Sequence, residues 1–177
     1  PRDEEDIATV FDWCGENGYA CIPFGGGSSV TGGFWAPERD AFPGVVVIDL
    51  GNLNQILEID PVDRTCRVEP GVINADLKAA LRSEGLAYPP DPGSVAISTI
   101  GGNVATNAGG MCCVKYGVTK DYVRGLTVVL ADGTVTALRE RLDRGAEITW
   151  VQDGTHHVHS THFPERFVKE LDLDAVT

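Results

Sequence analysis

Apolar positions along the chain fall into short blocks whose spacing switches between helical and extended. Ile7, Val10, Phe11 and Cys14 recur at i, i+3, i+4 and i+7, which predicts a surface helix with one buried face. Asp3 stands where an N-cap belongs, Asp6 follows three residues on, and the stripe runs out near Gly15 or Gly18. Tyr19 to Pro23 reads as a short strand. The run Gly44-Val-Val-Val-Ile-Asp-Leu50 has strand length and is nearly continuous, which predicts burial on both faces. Residues 34–43 between them form a polar, proline-containing excursion expected at the surface.

Residues 52–59 predict a turn and then a strand, with Asp60-Pro61 and Asp63 making the next reversal. Thr65 to Glu69 alternates like a half-exposed strand. Pro70-Gly71 turns the chain into a helix over Asn74 to Glu84, where Leu77, Ala80 and Leu81 share a face and Gly85 supplies the stop. Gly125 to Ala131 and Thr134 to Leu138 flank Asp132-Gly133, a pattern that predicts a hairpin with a two-residue turn of positive φ. Phe163 to Leu171 predicts a short helix with Pro164 in its first turn and Phe163, Phe167 and Leu171 on one face.

Composition narrows the function classes. A chain of 177 residues suits one domain, or one and a fraction, and can bury a genuine core. The net charge of −12 argues against a nucleic-acid partner, which needs clustered Lys and Arg. No stretch approaches the ~20 apolar residues of a membrane span, and Pro1-Arg-Asp-Glu-Glu-Asp6 is not a signal peptide. Cys14, Cys21, Cys66, Cys112 and Cys113 form neither an even framework nor a C-x-x-C pair, so free thiols and a cytoplasmic location are expected.

Two glycine-rich stretches carry the candidate chemistry. In Pro23-Phe-Gly-Gly-Gly-Ser-Ser-Val-Thr-Gly-Gly33, missing side chains and the hydroxyls of Ser28, Ser29 and Thr31 let peptide N–H groups converge on an anion such as a diphosphate. In residues 91–110, small side chains at Ser94, Ser98, Gly101, Gly102, Ala105, Thr106, Ala108, Gly109 and Gly110 allow close approach to a flat ring; close packing of the chain on itself is the plainer alternative. Gly27 to Gly32 has the spacing of a P-loop, but Gly33 and Phe34 stand where that motif needs Lys and Ser or Thr. Neither cluster has the G-x-G-x-x-G form of a dinucleotide fold.

The first glycine stretch, then Pro90-Asp-Pro-Gly-Ser94, then Ser98-Thr-Ile-Gly-Gly-Asn-Val-Ala-Thr-Asn-Ala-Gly-Gly110 and Lys115-Tyr-Gly-Val-Thr-Lys-Asp-Tyr-Val123, together resemble the FAD-binding domain of the vanillyl-alcohol-oxidase/PCMH flavoprotein superfamily. Within it the chain is most similar to the D-2-hydroxyacid dehydrogenases, including the flavin subunit of glycolate oxidase. The resemblance implies an α+β fold: an FAD-binding PCMH-type domain of two α/β subdomains, incomplete at both ends. It covers residues 1–138 and leaves 139–177 as an unassigned continuation or tail. The family has elements ahead of the first helix, so the chain is expected to be a fragment. The family's later block, an acidic residue followed by Gly-Thr-Leu-Gly, is not found here.

The resemblance also implies roles. Gly25, Gly26, Gly27, Ser28, Ser29 and Val30 would hold the diphosphate, with Pro23 and Phe24 positioning the loop. Pro92, Gly93, Ser94, Ser98, Thr99, Gly101, Gly102, Ala108 and Gly109 would face ribityl, diphosphate or ring, and Tyr116 and Gly117 would adjoin them. Neither glycine block contains a histidine and no Arg-x-x-Gly-His segment occurs, which favours noncovalent FAD. The implied reaction is hydride transfer from a small 2-hydroxy acid to the flavin. Its general base would come from a cap domain outside this chain, so no catalytic residue is assigned. A protein partner or an oligomer remains open.

Two other readings stand beside this one: an alkyl-glycerone-phosphate-synthase-like flavin transferase, and a non-catalytic fragment. Cys112 and Cys113 could sit near the ring, although buried small residues are the simpler expectation. Lys115, Lys120 and Arg124 could offset cofactor charge or form a solvated face. His157 and His159 would share a face of a strand and could bind a metal, with His156 and His162 nearby. A polar strand or loop is the preferred expectation there, and no metal is assigned.

Overall fold

The computed structural model describes residues 1–33, 41–139, 146–152 and 155–161. In chain order its elements are α1 (Glu4–Asn17), β1 (Ala20–Phe24), β2 (Val45–Asp49), β3 (Ile56–Asp60), β4 (Thr65–Val68), α2 (Asn74–Ser83), α3 (Ile100–Ala105), α4 (Cys113–Tyr116), β5 (Gly125–Val129), β6 (Val135–Arg139), β7 (Ala146–Gln152) and β8 (Thr155–Thr161), with a 3-10 turn at Thr119–Tyr122. The chain divides into two compact units, residues 1–2 with 19–119, and residues 3–18 with 120–177.

The larger unit carries both glycine stretches. β1 pairs with β2 in parallel from Ala20↔Val45 to Phe24↔Asp49, and the Leu50 N–H extends the ladder to the Phe24 carbonyl at 2.9 Å. The expectation that the valine run of β2 is buried on both faces is wrong. Ile48 is buried, but Val45, Val47 and Asp49 are exposed, because a two-stranded sheet has here been covered on one face. β3 and β4 form an antiparallel pair that slips register between Ile56 and Glu58.

Helix α2 builds the core. Its Leu77 and Leu81, one turn apart, pack with Val72, and Ile56, Ile59, Val68, Leu86, Tyr88 and Ile100 close around them. Burying each such leucine contributes about 1.5–3 kcal/mol. As the sequence predicts, the helix stops at Gly85, which has a φ of +71°.

Helix α3 was not expected. Two glycines in Ile-Gly-Gly-Asn-Val-Ala make it a poor helix on propensity, yet tertiary bonds hold it. Thr99 Oγ1 accepts from the Gly102 N–H at 3.2 Å, the Ile100 N–H donates to Val72 O at 2.8 Å, and the Gly101 N–H donates to Pro70 O at 2.8 Å.

In the smaller unit, α1 behaves as its pattern predicts. Asp3 Oδ1 caps the Asp6 N–H at 2.9 Å, Cys14 is buried, and Gly18 ends the helix with a φ of +69°. The β5–β6 hairpin is also present, but its turn is larger than expected. Gly133 N–H donates to Leu130 O and Leu130 N–H to Thr134 O, both at 2.9 Å, so a four-residue turn is followed by a one-residue bulge. Gly133 alone takes the positive φ there, at +77°. The Thr134 backbone and side chain hydrogen-bond the Asp132 carboxylate and hold its pKa below the usual value. That contribution to stability is present above the ordinary carboxylate range and is lost as pH falls through the lowered value.

β7 and β8 pair antiparallel, with Ile148↔His159, Trp150↔His157 and Val151↔His156 in register. The strand expected to carry His157 and His159 therefore exists, but the histidine side chains lie outside the described residues. So do His162, the helix expected over Phe163 to Leu171, and residues 34–40 of the polar excursion. Among the described residues no helix is long and apolar enough to cross a membrane.

Candidate functional site

The first glycine stretch leaves β1 and folds directly onto the second. A Cβ on Gly26 would overlap the Ile97 carbonyl oxygen and lie 3.1 Å from its carbon and 3.2 Å from Ser98 Cα, while one on Gly25 would overlap Thr99 Oγ1. Glycine is therefore required at 25 and 26 for the loop to meet the other wall. At these two positions, and at Gly101, whose Cβ would come within 2.7 Å of Pro70, the small residues serve packing of the chain on itself.

What the loop leaves open is polar backbone. Among the described residues, the N–H groups of Gly26, Gly27, Ser28 and Ser29 donate to no protein group. Four successive peptides with free donors are suited to an oxyanion. Ser29 Oγ and Thr31 Oγ1 pair at 2.7 Å, and the Thr31 N–H reaches Ser29 Oγ at 3.3 Å. Those two hydroxyls brace the turn, while the Ser28 hydroxyl has no partner among the described residues. Pro23 is exposed at the end of β1, the Phe24 ring lies 2.8 Å from the position of a Cβ on Gly27, and Val30 is fully exposed.

The second wall is a continuous track anchored from beneath. Pro92, Gly93 and Ser94 form its entry, where Pro92 O accepts from the Val95 N–H and Ser94 O accepts from the N–H groups of Ile97 and Ser98. Ser98 and Thr99 are buried, and Thr99 Oγ1 is committed to capping α3. Gly101 and Gly102 lie in α3. Asn107 then turns the chain with a φ of +47°, and the Ala108 N–H donates to Asn103 O at 2.8 Å. Ala108 and Gly109 follow, with Gly109 against Val118 and Cys113.

Several residues that fix this track were not singled out from the sequence. Lys78 Nζ meets Asp91 Oδ1 at 3.0 Å, joining α2 to the track, and the Asp91 N–H donates to Gly109 O at 2.9 Å. The Thr119 backbone N–H and hydroxyl both donate to Ala108 O, at 2.9 and 2.6 Å. Thr119 thereby ties the Tyr116-Gly117 segment to Ala108. Lys78 carries no signal in the sequence, and Asp91 and Thr119 stand in the 90–94 and 115–123 blocks without an assigned role, because the partners lie 11 to 13 positions away. Lys78→Met is expected to lower stability by about 1 kcal/mol, as for a pair between surface and interior, and to weaken cofactor retention several-fold; urea unfolding and a flavin titration would measure both.

Apolar side chains along the track remain uncovered. Ile97, Met111, Val114 and Tyr116 are exposed, and Lys115 Nζ lies 4.7 Å from the centre of the Tyr116 ring. The five cysteines are all free, as expected, but Cys112 is exposed rather than buried and Cys113 is half-buried. A four-residue helix with no buried residue provides no core to cover Cys112.

These walls, on a mixed helix-and-strand frame, define a nucleotide-holding α+β domain. Residues 1–139 match the family described as FAD binding domain, and the chain belongs to that family. It is 46% identical over 135 residues to glycolate oxidase subunit GlcD of Bacillus subtilis (strain 168), covering 76% of this chain and 28% of that one. It is 42% identical to the D-lactate dehydrogenase of Anaerostipes hadrus, covering 76% of this chain and 27% of the other. Among solved structures, it superimposes on an alkyldihydroxyacetonephosphate synthase with a TM-score of 0.70 at 28% identity, over 82% of this chain and 26% of that chain. The chain thus spans little more than a quarter of the length of these relatives. The expected cofactor, FAD, and the expected PCMH-type flavoprotein fold both agree with these matches.

The described residues fit FAD. Four unpaired N–H groups suit a diphosphate, and the adjoining track offers exposed apolar side chains to a ring system.

Proposed function

We propose that the chain is the FAD-holding part of an oxidoreductase that oxidises a small 2-hydroxy acid of the glycolate or D-lactate type. The single observation that carries this reading is the direct seating of the donor-rich loop at Gly25–Ser29 on the Ile97–Thr99 segment of the second wall. The identity to a glycolate oxidase subunit and a D-lactate dehydrogenase supports the substrate class.

FAD, when bound, supplies a two-electron acceptor for hydride. The chain's own residues bind and orient it. Gly25, Gly26, Gly27, Ser28, Ser29 and Val30 would hold the diphosphate, and Pro23 and Phe24 would position the loop as it leaves β1. Pro92, Gly93, Ser94, Ser98, Thr99, Gly101, Gly102, Ala108 and Gly109 form the ribityl and ring wall, with Tyr116 and Gly117 at its margin. Binding is noncovalent, and residues 1–138 make up the binding domain.

Purified protein is expected to take up one equivalent of FAD and turn yellow, and acid precipitation is expected to release all of the flavin. Colourless protein that leaves added FAD unchanged would refute the reading; flavin retained in the pellet would refute noncovalent binding. The solved-structure match favours one rival, an alkyl-glycerone-phosphate-synthase-like transferase. Anaerobic addition of glycolate or D-lactate to the FAD-loaded full-length protein separates the two, since bleaching of the flavin absorbance is expected only of the hydroxyacid oxidoreductase.

A further inference from the structure

Buried at the second wall are Asn74 and Asn103, which have no part in the site described above, and Ser98, which belongs to that wall. Asn74 is 0% exposed, Asn103 2% and Ser98 4%. Asn74 Oδ1 and Nδ2, Ser98 Oγ and Asn103 Nδ2 are each buried without a hydrogen-bond partner. The Asn74 N–H donates to Ser98 O at 2.9 Å, and the Asn103 N–H donates to the carbonyl of the next residue, Thr99, at 2.8 Å. Ser98 and Thr99 belong to the segment that receives Gly25 and Gly26.

Buried polar atoms in folded proteins are almost always paired. Leaving them unpaired destabilises the chain, whereas apolar side chains of similar shape would be neutral or stabilising. Four such atoms, on Asn74, Ser98 and Asn103, are therefore poorly explained by folding alone. They occur where the first turn of α2 meets the wall that the first glycine loop touches. Asn74 offers both a donor and an acceptor, the Ser98 hydroxyl offers both, and Asn103 offers a donor.

We propose that Asn74, Ser98 and Asn103 are positioning residues for the flavin nucleotide. Their unpaired groups give the wall a second hydrogen-bonded arrangement, adopted when the nucleotide seats against it, so that binding is coupled to the start of α2. The inference rests on the FAD reading above and extends it to two buried asparagines, Asn74 and Asn103.

The test compares the parent protein with Asn74→Leu, Asn103→Leu and Ser98→Ala. Each is assayed for thermal stability without FAD, for FAD affinity by fluorescence titration, and for the absorbance band positions of the bound flavin. Ser98→Ala removes one oxygen and is the variant least able to disturb packing. The expected result is a melting temperature without FAD that is unchanged or raised, an FAD affinity at least tenfold weaker in both leucine variants and several-fold weaker in Ser98→Ala, and shifted flavin bands. Affinities within twofold of the parent would overturn this inference alone. So would loss of folding in the leucine variants with unchanged affinity in Ser98→Ala, since the groups would then serve the fold. A parent that binds no FAD would overturn the cofactor reading and this inference with it.

Discussion

Gly26→Val is expected to reduce FAD affinity at least 100-fold, about 2.7 kcal/mol, while leaving a folded protein. The branched side chain would occupy the position of the Ile97 carbonyl oxygen, with Ile97 C and Ser98 Cα immediately behind it. All three are backbone atoms, so no rotamer change relieves the overlap and the loop must move off the second wall. That displacement redirects the N–H groups of Gly26 to Ser29, which the proposed function assigns to the diphosphate. The cost to stability is expected to be smaller, about 1–3 kcal/mol as for other overpacking substitutions. The Val72, Leu77 and Leu81 core is formed by other segments. A flavin titration and a far-ultraviolet circular dichroism spectrum on the same sample would check both halves. Unaltered affinity would mean that the seating of the loop has no bearing on the cofactor.

Leu77→Ala acts in the opposite order, through the fold first. Leu77 is buried at 2% exposure beside Val72 and Leu81, with Ile100 of the second wall packed against the same cluster. Truncation removes transfer energy and leaves a cavity, together about 2–5 kcal/mol, against a total of about 5–15 kcal/mol for a typical domain. The expected result is a urea midpoint lowered in proportion. FAD affinity should fall with it, because Ile100 starts the helix that carries Gly101 and Gly102. An unchanged midpoint would contradict the assignment of this cluster as the support of the wall.

What the sequence made legible follows from how local each signal is. Asp3 and Gly18 bracket α1, and Leu77, Leu81 and Gly85 mark α2, because caps and helical periodicity are written within one or two turns. The valines of β2 announce a strand but not its neighbours, so the openness of Val45 and Val47 could not be read. Helix α3 was hidden because its two glycines argue against helix, and the bonds that hold it come from Val72 and Pro70, about 30 residues earlier. The glycine stretches stood out as candidate binding segments. That Gly25 and Gly26 are glycine chiefly to meet Ile97 and Thr99 was not, because that contact joins positions about 70 apart. Lys78 gave no signal, and Thr119 no role of its own, for the same reason: each is tied to a distant partner.

Hydrogen–deuterium exchange of the protein with and without FAD tests most directly whether both walls hold one nucleotide. The account expects peptides spanning residues 24–31 and peptides spanning 92–109 to gain protection together, at the same FAD concentration, with little change across β3 and β4. Protection confined to one of those stretches, or appearing only elsewhere, would contradict it.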